Sequence, residues 1–149
     1  MNRRLVTALS AALLMTSLSA QAQFQRPDEA VKYRQSALFV MGQHFARVGA
    51  MATGRAPFDA AIAQQNMDVV MVMSELPWAG FTPDTSGISS RAKPNVWTQK
   101  DRFDEASRNV RVALAELNDA TRSGDLAAVR RTFGAAAATC KACHDNFRD

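Results

Sequence analysis

Four stretches of this chain repeat apolar side chains at alternating spacings of three and four, the period of a helix with one buried face. In the first, Val31, Arg34, Leu38, Met41, Phe45 and Val48 fall in line. Pro27, Asp28 and Glu29 mark its start, because proline suits a first turn and acids favour the positive end of the helix dipole. It is expected to fade between Gly49 and Gly54. In the second, Phe58, Ile62, Gln65, Val69, Val72 and Leu76 repeat the pattern after Pro57, and Pro77 stops it. The third runs from about Lys100 to Arg122 along Phe103, Ala106, Val110, Ala113 and Leu117, widened by Leu114. Ser123-Gly124-Asp125 is a tight turn in which glycine ends one helix and aspartate caps the next. The fourth runs from Leu126 towards Arg148, with Leu126, Val129, Phe133, Ala136 and Cys140 on one face.

Between Pro77 and about Thr98 the pattern breaks. Pro77, Pro83, Pro94, Gly80 and Gly87 predict a long connection rather than a helix. Connections of that length are uncommon in one domain unless they serve something. This one holds Trp78, Trp97 and Phe81, which are expected to fold back onto the helices. No segment alternates as a strand does. The pattern therefore predicts an all-α fold, an antiparallel four-helix bundle with a long loop between its second and third helices.

The N-terminus follows another logic. Arg3 and Arg4 precede an apolar run from Leu5 to Leu18, and Ala20-Gln21-Ala22 supplies small residues where a signal peptidase cuts. A bilayer anchor would need roughly 20 apolar residues, and this run is shorter. The expectation is a signal peptide over 1–22, cut after Ala22, and one exported, periplasmic domain over 23–149 with no membrane insertion of its own. Loss of the two arginines lowers the formal charge from +4 by two. Without a basic run or interleaved aromatics, nothing points to nucleic acid.

The only two cysteines stand three apart, in Cys140-Lys141-Ala142-Cys143-His144. A disulfide across so short a helical loop would constrain little chain. Zinc would need a distant fourth ligand such as His44, and adjacent Cys143 and His144 suit a tetrahedral site poorly. A redox dithiol belongs at a helix start after a strand. The motif is CxxCH, the attachment signature of c-type haem. At i, i+3 and i+4 of one helix, Cys140, Cys143 and His144 project to one side. Two thioethers then hold the ring edge while His144 reaches the iron. Against two cysteines as small core residues stand the signal peptide, the helix and the use of every cysteine.

A haem motif on the last helix of a bundle resembles the cytochrome c′ family of class II c-type cytochromes. Further segments carry the likeness: Pro27 to Leu38, Leu76-Pro77-Trp78 on to Phe81, Gly124-Asp125-Leu126, and Asp145 and Arg148 after the motif. The resemblance spans Gln23 to the end. It implies one covalent haem c, high-spin five-coordinate iron, no distal protein ligand, and binding of nitric oxide and carbon monoxide. In some members nitric oxide displaces the proximal histidine. It also implies a homodimer built through the first two helices, and a role in electron transfer, with an unidentified redox partner, or in handling nitric oxide. Leu38 matches the distal residue, where an aliphatic side chain crowds the iron and admits only small neutral molecules. Phe81 matches a second residue over that face, Arg34 a partner for a haem propionate, and Arg148 a basic residue against the proximal side.

Met41 is the rival, because thioether sulfur is a standard haem ligand and a related branch uses a methionine from the first helix. A six-coordinate His/Met iron would suit a dedicated electron carrier. His44 sits nearly two turns from Leu38 and is expected to face solvent or a partner. No base or nucleophile pair converges on the pocket, so an enzyme is not expected.

Overall fold

The computed structural model describes residues 23–149; the signal peptide expected over 1–22 and its cut after Ala22 lie outside the described residues. Helix α1 (Pro27–Ala52) opens on Pro27 with Asp28 and Glu29 in its first turn. Its C-terminal carbonyl at Ala52 accepts from Arg130 Nε at 3.0 Å, so a later helix caps it. Helix α2 (Ala60–Glu75) begins three residues after Pro57, because Asp59 is the true cap and accepts from the Ile62 N–H at 2.9 Å. A connection follows, with 3₁₀ turns at Pro77–Gly80 and Pro83–Thr85 and a single helical turn, α3 (Asn95–Thr98). Helix α4 (Lys100–Ser123) ends at Gly124, whose φ of 70° needs a residue without Cβ. Asp125 then caps α5 (Leu126–Phe147) through the Ala127 N–H at 2.8 Å.

The four long helices pack α1 on α2, α2 on α4, α4 on α5 and α5 back on α1. This is the predicted four-helix bundle. Among the described residues there is no strand, only an isolated antiparallel bridge between Ala92 and Arg148. No described helix is long and apolar enough to cross a membrane.

Two apolar clusters fill the bundle. The larger holds Val48, Met67, Val70, Val110, Leu114, Leu117, Val129 and Ala136, with Met41, Phe45 and Phe133 packed against it. The smaller holds Phe81, Val96, Phe103 and Phe147, with Leu38, Trp78 and Trp97 against it. The tryptophans and Phe81 thus fold back onto the helices as expected.

The buried face of α2 is not the predicted one. Ala63, Asn66, Met67, Val70 and Ser74 face inward, whereas Ile62 is 50% and Val72 61% exposed. Both sides of this helix are apolar, so periodicity alone cannot choose between them. The small Ala63 and Ser74 share the inward face with Met67 and Val70, and Ile62 and Val72 are left outside.

Candidate haem site

Helix α5 carries Cys140, Cys143 and His144 on successive turns of one side. Both thiols are free and half-buried. Cys140 packs against the larger cluster, and Cys143 packs against both. The cysteine pair therefore sits where the two halves of the core meet, with a groove of 220 Å³ between α4 and α5 opening beside Cys143. Burial pushes both thiols up from their ordinary value, and for Cys140 the neighbouring Cys143 adds to the rise.

His144 is exposed at the end of the helix. Arg148 Nη1 lies 3.3 Å from its Nε2. Arginine only donates, so Nε2 is the acceptor and the ring proton sits on Nδ1. Burial holds the imidazole below its usual value, helped by the charges of Arg148 and Arg91 and opposed by Asp145. A neutral imidazole is the form that ligates a metal.

Across the bundle, Leu38 lies half-buried on α1 against the cluster that also holds Phe81 and Cys143. Phe81 is buried and meets Phe103 edge-on, with centroids 4.8 Å apart. No methionine belongs to this cluster. Met41 packs against the larger cluster instead. His44 is tied to α2, its Nδ1 3.0 Å from Asn66 Oδ1.

Arg34 is 2% exposed, and its partners are loop atoms. Nη1 donates to Gly80 O at 2.7 Å and to Thr85 Oγ1 at 2.9 Å; Nη2 donates to Ser90 Oγ at 3.1 Å. The neutral partners satisfy a cation whose burial would otherwise be costly. Two of its five N–H groups stay available for a carboxylate.

The far end of the connection grips the C-terminus, which sequence reasoning missed. Lys93 N donates to Phe147 O at 3.0 Å, Asp149 N to Arg91 O at 2.9 Å, and Asn95 Nδ2 to Asn146 O at 2.7 Å. Two of these are main-chain pairings, which have no signature in residue type. They hold Arg148 in extended backbone beside His144.

The donor set fits covalent haem. Two adjacent free thiols flank an apolar interior, the next residue is a neutral imidazole, and the opposite wall is aliphatic and aromatic. Among the described residues, no group of three or more histidine, cysteine, aspartate or glutamate side chains converges as a bare metal site would require.

Comparison with known proteins agrees with this geometry. The family model described as Cytochrome C′ matches residues 29–148. A cytochrome c′ of Alcaligenes xylosoxydans xylosoxydans is 42% identical over 126 residues, covering 85% of this chain and 98% of that protein. The crystal structure of cytochrome c′ from Rubrivivax gelatinosus superposes with a TM-score of 0.82 at 41% identity, covering 85% of this chain and all of that one. A point variant of the Alcaligenes xylosoxidans protein, solved as its nitric oxide complex, superposes with a TM-score of 0.80 at 39% identity, covering 85% of this chain and 99% of that one.

Proposed function

The chain belongs to the cytochrome c′ family, whose members carry c-type haem, and from that premise we propose that it is an exported, periplasmic haem protein that takes up small gases. Cys140 and Cys143 would hold the haem through thioethers, and His144 would ligate its iron. The bound haem supplies an iron centre that takes a gas on its open face or passes an electron.

The chain's own residues do the rest. Leu38 and Phe81 crowd the face opposite His144, exclude water and offer no charge or ligand, so a small neutral molecule such as nitric oxide or carbon monoxide is what fits. A free N–H of Arg34 reaches a propionate. The charge of Arg148 disfavours protonation of His144, and the side chain stands by the proximal side. No acid, base or nucleophile is aimed at the distal wall, so binding and electron transfer are proposed rather than catalysis.

The observation carrying this reading is the apolar cluster around Phe81 and Leu38, which reaches Cys143 and holds no methionine, while His44 is tied to Asn66 on α2. The His/Met electron carrier through Met41 has less support, since Met41 packs against the other cluster. Homodimerisation through α1 and α2 is supported by their exposed apolar residues. Three of the five large apolar side chains exposed among the described residues, Phe39, Ile62 and Val72, lie on these two helices.

The test is the visible spectrum of haem-loaded protein, ferric and ferrous, with and without carbon monoxide. High-spin bands and a shift on adding the gas are expected. Low-spin bands indifferent to it, with a methionine-to-iron charge-transfer band, would replace this reading with the Met41 carrier.

A further inference from the structure

On the reading that haem lies between Leu38 and His144, we infer that Arg34 is a positioning residue for the distal wall. Its guanidinium clasps the connection after α2 and thereby sets where Phe81 stands.

Arg34 is wholly inside the protein, yet no carboxylate lies within ion-pair distance of it among the described residues. It grips the connection at three points spread over eleven residues, Gly80 O, Thr85 Oγ1 and Ser90 Oγ. Two of the three points are locked again locally. Thr85 Oγ1 donates to Thr82 O at 2.7 Å, and Ser90 Oγ accepts from Ala92 N at 3.3 Å. A planar fork with five N–H groups serves three acceptors and keeps two to spare; an amide, with two N–H groups, cannot.

The same guanidinium stacks near the aromatic rings. Its carbon is 4.4 Å from the Phe81 centroid and 5.5 Å from that of Trp97. Phe81 directly follows Gly80, whose carbonyl Arg34 holds. Gly80 in turn lies flat on α1: a Cβ there would sit 2.6 Å from Ala30 O and 2.9 Å from Arg34 Cβ. Leu38 is one helical turn beyond Arg34 on the same side of α1. One buried cation thus fixes the spacing between the two residues of the distal wall, since Leu38 belongs to its own helix and Phe81 to the segment it clasps.

The test uses haem-loaded protein with two variants. Arg34→Gln removes the clasp. Thr85→Val with Ser90→Ala removes two acceptors while keeping the charge, and it stands in if the first does not fold. Amide hydrogen exchange across residues 80–92 reads the clasp; the carbon monoxide association rate after flash photolysis reads the wall. Both variants are expected to lose protection in 80–92 and to change the association rate roughly threefold or more, and Arg34→Gln is expected to add little to Phe81→Leu, as coupled neighbours behave. Additive effects of Arg34→Gln and Phe81→Leu, or a loosened segment with an unchanged rate, would overturn the positioning role. Full protection in the Thr85→Val/Ser90→Ala variant would overturn the clasp itself. Should the unaltered protein not take up carbon monoxide, the gas-binding reading falls, and exchange alone then decides the clasp: protection lost in both variants supports it, protection kept overturns it.

Discussion

Arg148, the residue that follows α5, places Nη1 3.3 Å from Nε2 of His144 in the helix's last turn. The contact is not an accident of a loose end. Arg148 leaves helical conformation at φ −135° and ψ 138°, and its backbone pairs with Ala92. The connection after α2 therefore carries Phe81 and also holds Arg148, the two residues proposed for opposite faces of the site.

With His144 as the proposed ligand, proton and iron would compete for its lone pair. Burial, Arg148 and Arg91 all disfavour the proton, while Asp145 favours it. Replacing Arg148 by alanine removes one cause of the lowered value, so the imidazole takes up its proton at higher pH. The pH at which acid releases His144 from ferrous iron should rise in Arg148→Ala and fall in Asp145→Asn. A Soret titration reads both, and equal midpoints in all three proteins would remove the electrostatic role of Arg148.

Leu38→Ala should open the distal wall. Carbon monoxide association should accelerate roughly tenfold, the effect of about 1.4 kcal/mol off the barrier. Leu38 is half-buried, so the stability lost should fall below the 2–5 kcal/mol of fully buried leucines. Flash photolysis measures the rate; an unchanged one would place the obstruction elsewhere.

Met41→Leu conserves volume in the larger cluster, where methionine fills a gap. The cost should stay under about 1.5 kcal/mol, and ferric and ferrous spectra should not change. A shift from low-spin to high-spin bands in this variant would identify Met41 as the sixth ligand.

The attachment motif and the bundle were legible because both rest on local spacing. Cys140, Cys143 and His144 need only one helix to be brought together, and Arg148 follows at i+4. The distal wall joins Leu38 to Phe81 across the chain, and only the resemblance to known proteins pointed to it. The clasp was beyond reach, since the partners of Arg34 lie 46, 51 and 56 residues away and one is a main-chain carbonyl. The α2 face misled for a different reason: large side chains dominate a hydrophobic pattern, and in α2 small ones, Ala63 and Ser74, sit fully buried at the helix contacts.

Gly49 gives α1 and α5 their closest fit. A Cβ at this position would lie 2.4 Å from Cζ of Phe133, whose ring stacks on Phe45 with centroids 4.8 Å apart. The ring cannot retreat without leaving that stack. Gly49→Ala should cost about 1–3 kcal/mol as overpacking, and Phe133→Leu in the same background should recover part of it. Urea unfolding of the single and double variants measures both; a neutral Gly49→Ala would mean that the ring yields freely.

The exposed apolar face on α1 and α2 bears on assembly. Ile62 and Val72 are 50% and 61% exposed and Phe39 66%, so charge there should barely touch the fold, within roughly 0.5 kcal/mol. In a dimer joined through these helices the same change would bury unpaired carboxylates against apolar neighbours. Ile62→Glu with Val72→Glu should weaken self-association at least about tenfold, read by sedimentation velocity over a concentration series. Val112, 60% exposed on α4, is the control. Val112→Glu should leave association unchanged, and an equal loss in both variants would mean that the protein associates through general stickiness rather than through α1 and α2.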